Sequence, residues 1–235
     1  MHYVGTSGFS YPKWKGAFYP AKLPAKDMLG FYADRFRAVE INNTFYKPPE
    51  ATGLAAWAGQ VPAGFRFAFK APQRITHILR LRNANAEVAS LFAALDTLGD
   101  RLGPVLFGLP PNFKKDADRL RAFLELLPAA RRVAFEFRHA SWFDAEVFAL
   151  LRARGVALCV ADETDDLAVP FEATTDWGYL RLRRPEYDAA ELATWAARMT
   201  GQSWKDVFVF FKHEDTGTGP AFAAELLKLL ETTAV

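Results

Sequence analysis

Eight charged side chains in this sequence stand near the ends of strand-like runs: Glu40, Lys70, Glu136, Arg138, Asp162, Arg181, Arg183 and Lys212. Successive side chains of a strand point to opposite faces, so each run can be sorted into two sets. In Val133-Ala134-Phe135-Glu136-Phe137-Arg138 the large apolar residues share one parity, leaving Ala134, Glu136 and Arg138 on the other face. The same logic turns Ala68 and Lys70 inward from Phe65-Arg66-Phe67-Ala68-Phe69-Lys70, with Arg66 at a solvated lower rim. It also turns Arg181 and Arg183 inward from Tyr179-Leu180-Arg181-Leu182-Arg183, and Glu40 and Asn42 from Val39-Glu40-Ile41-Asn42. Five cations against three carboxylates leave that set at +2, equal to the net charge of the whole chain. Buried charge without a partner is costly, so such a site favours an anion.

Several chemistries fit these residue types. Glu40 and Glu136 could serve as acid and base. Glycoside hydrolysis would use such a pair at a defined separation, but a sugar site generally shows more carboxylates and stacked tryptophans. Of the four histidines, His77 and His139 follow strand-like runs, and either could exchange a proton or simply anchor its loop. No HxH or HExxH spacing occurs and the surrounding cations oppose another, so neither a transition metal nor a cofactor is expected. Cys159 lies mid-strand, and Ser7 lacks a nucleophile-elbow context. Trp14 and Tyr46, flanked by Lys13, Lys15 and Asn42, are placed at the mouth. Two readings of the charges stand together: they contact a ligand, or they pair as Glu136 with Arg181 and Glu40 with Lys70.

Eight strands must position these groups: His2–Thr6, Val39–Asn42, Phe65–Lys70, Val105–Leu109, Val133–Arg138, Ala157–Ala161, Gly178–Leu182 and Val207–Phe211. Amphipathic helices lie between them at Ala25–Phe36, Thr52–Gln60, Asn85–Leu98, Asp118–Leu127, Ala145–Arg154, Ala190–Met199 and Ala221–Leu230. The link Asp162–Asp176 carries Pro170 and little periodicity, so a loop replaces the helix after strand six. Pro24 suits a first turn, Asp118 and Asp144 suit caps, and Gly155 follows a helix end. The pattern reads as an α/β protein, a compact (β/α)8 TIM barrel spanning 1–235 as one domain. An open doubly wound sheet is the alternative, but the Gly-rich dinucleotide fingerprint is missing. The charged set then lies at the C-terminal strand ends, where barrel enzymes place their chemistry.

Composition narrows the classes further. With 51% hydrophobic and 24% charged residues, the chain is neither disordered nor fibrous. No apolar run approaches the ~18 residues of a membrane span, and no signal-peptide pattern opens the sequence, so a cytoplasmic protein is expected.

Ordered sequence pieces carry a resemblance to the YecE-like TIM-barrel family, a domain of unknown function. They are Gly5-Thr6-Ser7-Gly8-Phe9-Ser10-Tyr11, Trp14-Lys15-Gly16-Ala17-Phe18-Tyr19-Pro20 and Val39-Glu40-Ile41-Asn42-Asn43-Thr44-Phe45-Tyr46, then Phe67-Ala68-Phe69-Lys70 with Ile75-Thr76-His77. Leu109-Pro110-Pro111-Asn112-Phe113, Glu136-Phe137-Arg138-His139-Ala140-Ser141-Trp142 and Tyr179-Leu180-Arg181-Leu182 complete them. The resemblance implies a barrel without a settled reaction. Its fold is similar to that of metal-dependent isomerases and apurinic-site endonucleases, which has prompted suggestions of nucleic-acid binding. Three positions depart from the commoner pattern: Gly108 where glutamine is frequent, Arg183 where histidine is, and Phe211-Lys212-His213 in place of an aromatic-Asn-Asn run.

The expectation is a mouth for a small phosphorylated or carboxylated ligand. Lys70, Arg138 and Arg181 hold the anion, and Glu136 or His77 handles a proton in a hydrolase or isomerase reaction. Glu40 is the second candidate carboxylate, and Asn42, His139, Asp162, Arg183, Lys212, Trp14 and Tyr46 complete the binding set. The second reading is a nucleic-acid-binding module that uses the same cations and rings. No membrane partner is expected, and the sequence names no partner protein.

Overall fold

The computed structural model describes residues 1–162, 167–213 and 215–232. Eight parallel strands form its centre: β1 His2–Thr6, β2 Ala38–Ile41, β3 Arg66–Lys70, β4 Leu102–Gly108, β5 Val133–Glu136, β6 Ala157–Asp162, β7 Trp177–Leu182 and β8 Asp206–Phe211. They are hydrogen-bonded in the order β1-β8-β7-β6-β5-β4-β3-β2. The two ends of that order meet through a parallel bridge between Ser7 and Glu40, where the Gly8 N–H donates to the Glu40 carbonyl at 2.7 Å. The result is a (β/α)8 TIM barrel. Helices α1 Met28–Ala33, α2 Ala51–Ala58, α3 Asn85–Leu95, α4 Ala117–Leu124, α5 Ala145–Ala153, α6 Ala189–Thr200 and α7 Thr218–Thr232 surround it. Residues 167–176 between β6 and β7 contain no helix, as expected, and residues 163–166 of that link lie outside the described residues.

Differences from the expected boundaries have local causes. Helix α4 is capped by Asp116, whose carboxylate accepts from the Arg119 N–H at 3.0 Å, and Asp118 instead sits in the first turn. Asp144 caps α5 as expected, accepting from the Val147 N–H at 3.0 Å. Strand β4 begins three residues early and includes Pro104, which has no N–H to donate. The β3–β4 register shifts between Phe67 and Phe69, paired with Leu102 and Val105, so a bulge absorbs Gly103 and Pro104.

Two cores are separated by the sheet. Outside, Phe107 and Phe135 stack at 5.6 Å, and Phe123 of α4 packs edge-on against Phe107 at 5.3 Å. Inside, Ala38, Ala68, Ala134, Ala157 and Cys159 are small, and Tyr3, Trp177, Tyr179, Phe208 and Phe210 fill the volume they leave. Tyr3 lies flat on Phe208 at 4.6 Å near the barrel bottom. The small-against-large arrangement fills the middle of the barrel with apolar matter, between the solvated rim at Arg66 below and the charged side chains at the top.

The β1–β2 seam depends on one hydroxyl. Tyr32 of α1 inserts its OH between the strands, accepting from the Thr6 N–H at 2.8 Å and donating to the Ala38 carbonyl at 3.0 Å. Gly5 leaves room for it, since a Cβ there would lie 2.0 Å from the Ala38 oxygen and 2.7 Å from the Tyr32 OH. Tyr32→Phe strands a buried N–H and a buried carbonyl, and should destabilise by about 1–3 kcal/mol. That corresponds to a fall of roughly 2–4 °C in Tm per kcal/mol; an unchanged Tm in calorimetry would refute the seam's dependence on this hydroxyl.

Candidate functional site

At the C-terminal end of the barrel the inward side chains form one connected network. Glu40 is 0%, Glu136 1% and Arg181 2% exposed, so all three charges are removed from water. Arg181 spans the barrel top from β7. Its Nη1 donates to Glu136 Oε2 at 2.9 Å and Oε1 at 3.1 Å, and its Nη2 donates to Glu40 Oε1 at 2.9 Å. Glu40 further accepts from Ser7 Oγ at 2.5 Å, Tyr179 OH at 2.7 Å and Asn42 Nδ2 at 3.2 Å. Glu136 is also approached by Arg138 Nη2 at 3.2 Å and Arg183 Nη1 at 3.5 Å. Gly108 on β4 provides space for that carboxylate, since a Cβ there would fall 2.9 Å from Glu136 Oε2.

The charges tune one another. Burial alone would raise the Glu136 carboxyl, but Arg181, Arg138, Arg183 and Lys70 outweigh it and hold the group at about 2. Burial likewise opposes ionisation of Glu40, and Arg181 with the Ser7, Tyr179 and Arg181 hydrogen bonds brings its pKa below the ordinary value. Both glutamates are therefore fixed anions near neutral pH. Lys70 has the opposite fate. Burial first, then repulsion from Arg181 and Arg138, bring it down from 10.5 to about 8 against the pull of Glu136 and Glu40. It makes no ion pair with a described residue, and its ammonium lies 4.2 Å above the centre of the Phe45 ring. That contact is a cation–π interaction.

His77 meets the same ring edge-on, 4.9 Å between centroids. Burial lowers its pKa, and Lys70, Arg138 and Arg80 lower it further, so the imidazole is neutral at pH 7. Its Nδ1 is paired with Thr76 Oγ1 at 2.8 Å. The loop that carries it has unusual backbone. Arg74–Ile78 form a wide π-helical turn, and Arg80, Leu81 and Asn83 adopt φ of 49°, 67° and 49°. Left-handed non-glycine backbone costs on the order of 1 kcal/mol per residue and persists where neighbours enforce it, often at functional loops. Here Leu81 is buried and Arg80 Nη2 donates to Asn112 Oδ1 at 2.7 Å.

The structure thus brings together Glu40, Asn42, Lys70, His77, Glu136, Arg138, Arg181 and Arg183. The expected Glu136–Arg181 pair forms, whereas Glu40 pairs with Arg181 instead of Lys70. Other candidates lie apart. The placement of Trp14 at the mouth is corrected: the ring is fully buried outside the barrel against Tyr11, Phe18 and Tyr19. Packing a large ring among other rings releases more water than a solvated rim position would. Tyr46 is 75% exposed and touches Phe45 edge-on, so Phe45, not Tyr46, contributes the ring beside Lys70. His139 Nδ1 accepts from the Ser141 N–H at 3.1 Å and so anchors the loop after β5. Asp162 accepts from Tyr187 OH at 3.0 Å, and Lys212 is exposed just beyond β8. Ser7, Phe45, Arg80 and Tyr179 join the site without having been singled out for it. Tyr179 shares the inward parity of Arg181, a signal the sequence did contain; a loop ring such as Phe45 has none.

Arg181→Met would leave two buried carboxylates without their counter-ion, and should cost about 3–5 kcal/mol in chemical denaturation. Adding Glu40→Gln and Glu136→Gln should recover most of that loss; failure to recover would show that Arg181 acts by packing. Glu136 has a folded-state pKa of about 2 against an ordinary 4.5, so its contribution is complete above about pH 4.5. The contribution falls as pH drops toward 2, and Glu136→Gln should flatten that acid limb.

Known proteins resemble this chain over its whole length. The family model "Protein of unknown function DUF72" matches residues 3–235. The chain is 32% identical over 144 residues to the UPF0759 protein YecE of Escherichia coli K12, covering 61% of this chain and 50% of YecE. It therefore spans about half the length of the curated YecE relatives it matches. The UPF0759 protein YunF of Bacillus subtilis is 25% identical over 273 residues, covering 98% of this chain and 95% of YunF. A crystal structure of a DUF72 family protein from Thermotoga maritima superposes with a TM-score of 0.87 at 29% identity, covering 98% of this chain and 99% of that one.

Proposed function

The chain belongs to the DUF72 family, and from that footing we propose that its barrel mouth binds a small phosphorylated or carboxylated ligand and exchanges a proton with it through His77. One observation carries this reading: four cations, Arg181, Arg138, Arg183 and Lys70, act on Glu136, and among the described residues Glu40 is the second carboxylate bonded into this cluster. The excess is felt outward, since Lys70, Arg138 and Arg80 all depress the protonation of His77. An anion above the network relieves that repulsion.

Roles divide by burial. Arg181 is committed at both ends to the glutamates, so it orients them and does not reach the ligand. Arg138, at 29% side-chain exposure, and Lys70 face outward enough to receive it. Glu136, held at about 2, is too weak a base for proton transfer near neutral pH. His77 is the better fit, an imidazole that burial and the neighbouring cations keep neutral at pH 7 and so able to accept a proton. A hydrolase or isomerase step that moves one proton beside a bound anion is the chemistry these groups support.

Thermal shift at matched ionic strength tests the reading with phosphate, acetate, nucleotides, a short oligonucleotide and chloride. Phosphate or acetate at 100 times its dissociation constant should stabilise by about 2.7 kcal/mol, several degrees for a domain of this size. The shift should shrink in Arg138→Ala with Lys70→Met. It should also weaken as pH rises through about 8, where Lys70 loses its proton. A response to the oligonucleotide alone, falling steeply with salt, would replace the small-ligand reading with a nucleic-acid-binding one; no response to any anion would remove both.

A further inference from the structure

We infer that Lys70 is a covalent nucleophile, forming a Schiff base with the carbonyl carbon of a small compound that carries an anionic group. The substrate class rests on the anion-binding reading above; the lysine chemistry has its own support. An amine adds to a carbonyl only as the free base, and proteins generate one by desolvation beside another cation. Lys70 has both. It lies at the C-terminal end of β3, half-buried, with Arg181 and Arg138 as repelling neighbours and no described carboxylate in ion-pair contact. The Phe45 face steadies the ammonium but takes no proton from it and donates none to it. A catalytic amine can alternate between charged and neutral forms only when no fixed counter-ion locks it.

No β4 side chain presses on the amine at one neighbouring position. Gly108 has no side chain, and a Cβ there would sit 3.9 Å from Lys70 Cε. The same Cβ would fall 2.9 Å from Glu136 Oε2, so this glycine leaves both the Glu136 carboxylate and the Lys70 side chain uncrowded from β4. His77 rests against the same Phe45 ring as Lys70, and its Nε2 is engaged by no described residue.

The step balances without another reagent. The Nζ lone pair of Lys70 attacks the carbonyl carbon, a C–N bond forms, and the C=O π pair moves onto oxygen. His77 takes one proton from the new ammonium nitrogen and gives it to that oxygen, forming the carbinolamine; the second N–H proton then passes through His77 to the hydroxyl, which leaves as water while the C=N bond forms. Net, amine plus carbonyl gives imine plus water. Protonation of the imine from solvent supplies an electron sink for a later bond change at the adjacent carbon.

Borohydride trapping tests this with pyruvate as the anionic carbonyl probe and dihydroxyacetone as the neutral one, read by peptide mass spectrometry. At pH 7 the reduced adduct should concentrate on the Lys70 peptide, on the order of a hundredfold above exposed lysines, since the drop from 10.5 to about 8 exceeds two units and each unit raises the free-base fraction about tenfold. Lys70→Arg keeps the charge and should abolish the adduct while leaving the Tm without ligand close to that of the unsubstituted protein. His77→Ala should slow trapping but leave its site unchanged. Adduct spread evenly over surface lysines, or none on Lys70, overturns the inference even if phosphate still stabilises the fold. Trapping of Lys70 by both probes alike, without any phosphate or acetate shift, keeps the nucleophile and removes the anion-binding reading.

Discussion

A guanidinium with no access to water, bonded at both ends to carboxylates that have none, survives only as part of a set. Arg181 is that guanidinium, and Glu40 and Glu136 are its partners. Moving any one of these ions out of water costs several kcal/mol, so each makes the presence of the others necessary. The network also joins distant parts of the chain. Arg181 on β7 links β2 to β5 across the barrel, and Glu40 draws in Ser7 at the end of β1. The seam at which the barrel closes therefore shares a carboxylate with the candidate site.

That sharing explains why the rest of the mouth behaves as it does. Because Arg181 satisfies both glutamates, neither is left to neutralise Lys70, and Lys70 becomes a desolvated cation with a weakened hold on its proton. Burial first, and then the neighbouring cations, keep His77 neutral. A fixed lower layer of ions thus produces a labile upper layer of a lysine and a histidine, both resting on Phe45. The strained loop after β3 makes sense in that setting, since its left-handed residues are held by Leu81 packing and the Arg80–Asn112 bond while it delivers His77.

Family membership places the chain beside YecE, YunF and the Thermotoga maritima protein without naming a reaction. A barrel fold hosts many chemistries, so function has to be argued from the side chains at the strand ends. In this chain Gly108 and Arg183 both act on Glu136. One makes room for the Glu136 carboxylate, and the other adds a cation to it.

Much of this was legible in the residues alone. Period-two alternation with large apolar side chains on one parity decides which face of each strand meets the helices, and so puts Glu40, Lys70, Glu136, Arg138, Arg181 and Arg183 inside. Alternating strand and helix patterns likewise determine a parallel sheet covered by helices, since that is how such units bury both of its faces. Alternation carries no information on distance, however, and only the closed barrel decided that Arg181 reaches Glu40 across the top while Lys70 does not. Loops follow no period either, so Trp14 turned into the outer core and Phe45 took the place expected of Tyr46. Which residues face the barrel axis is a local property of the chain; which charges are left without a partner there is a property of how the barrel closes.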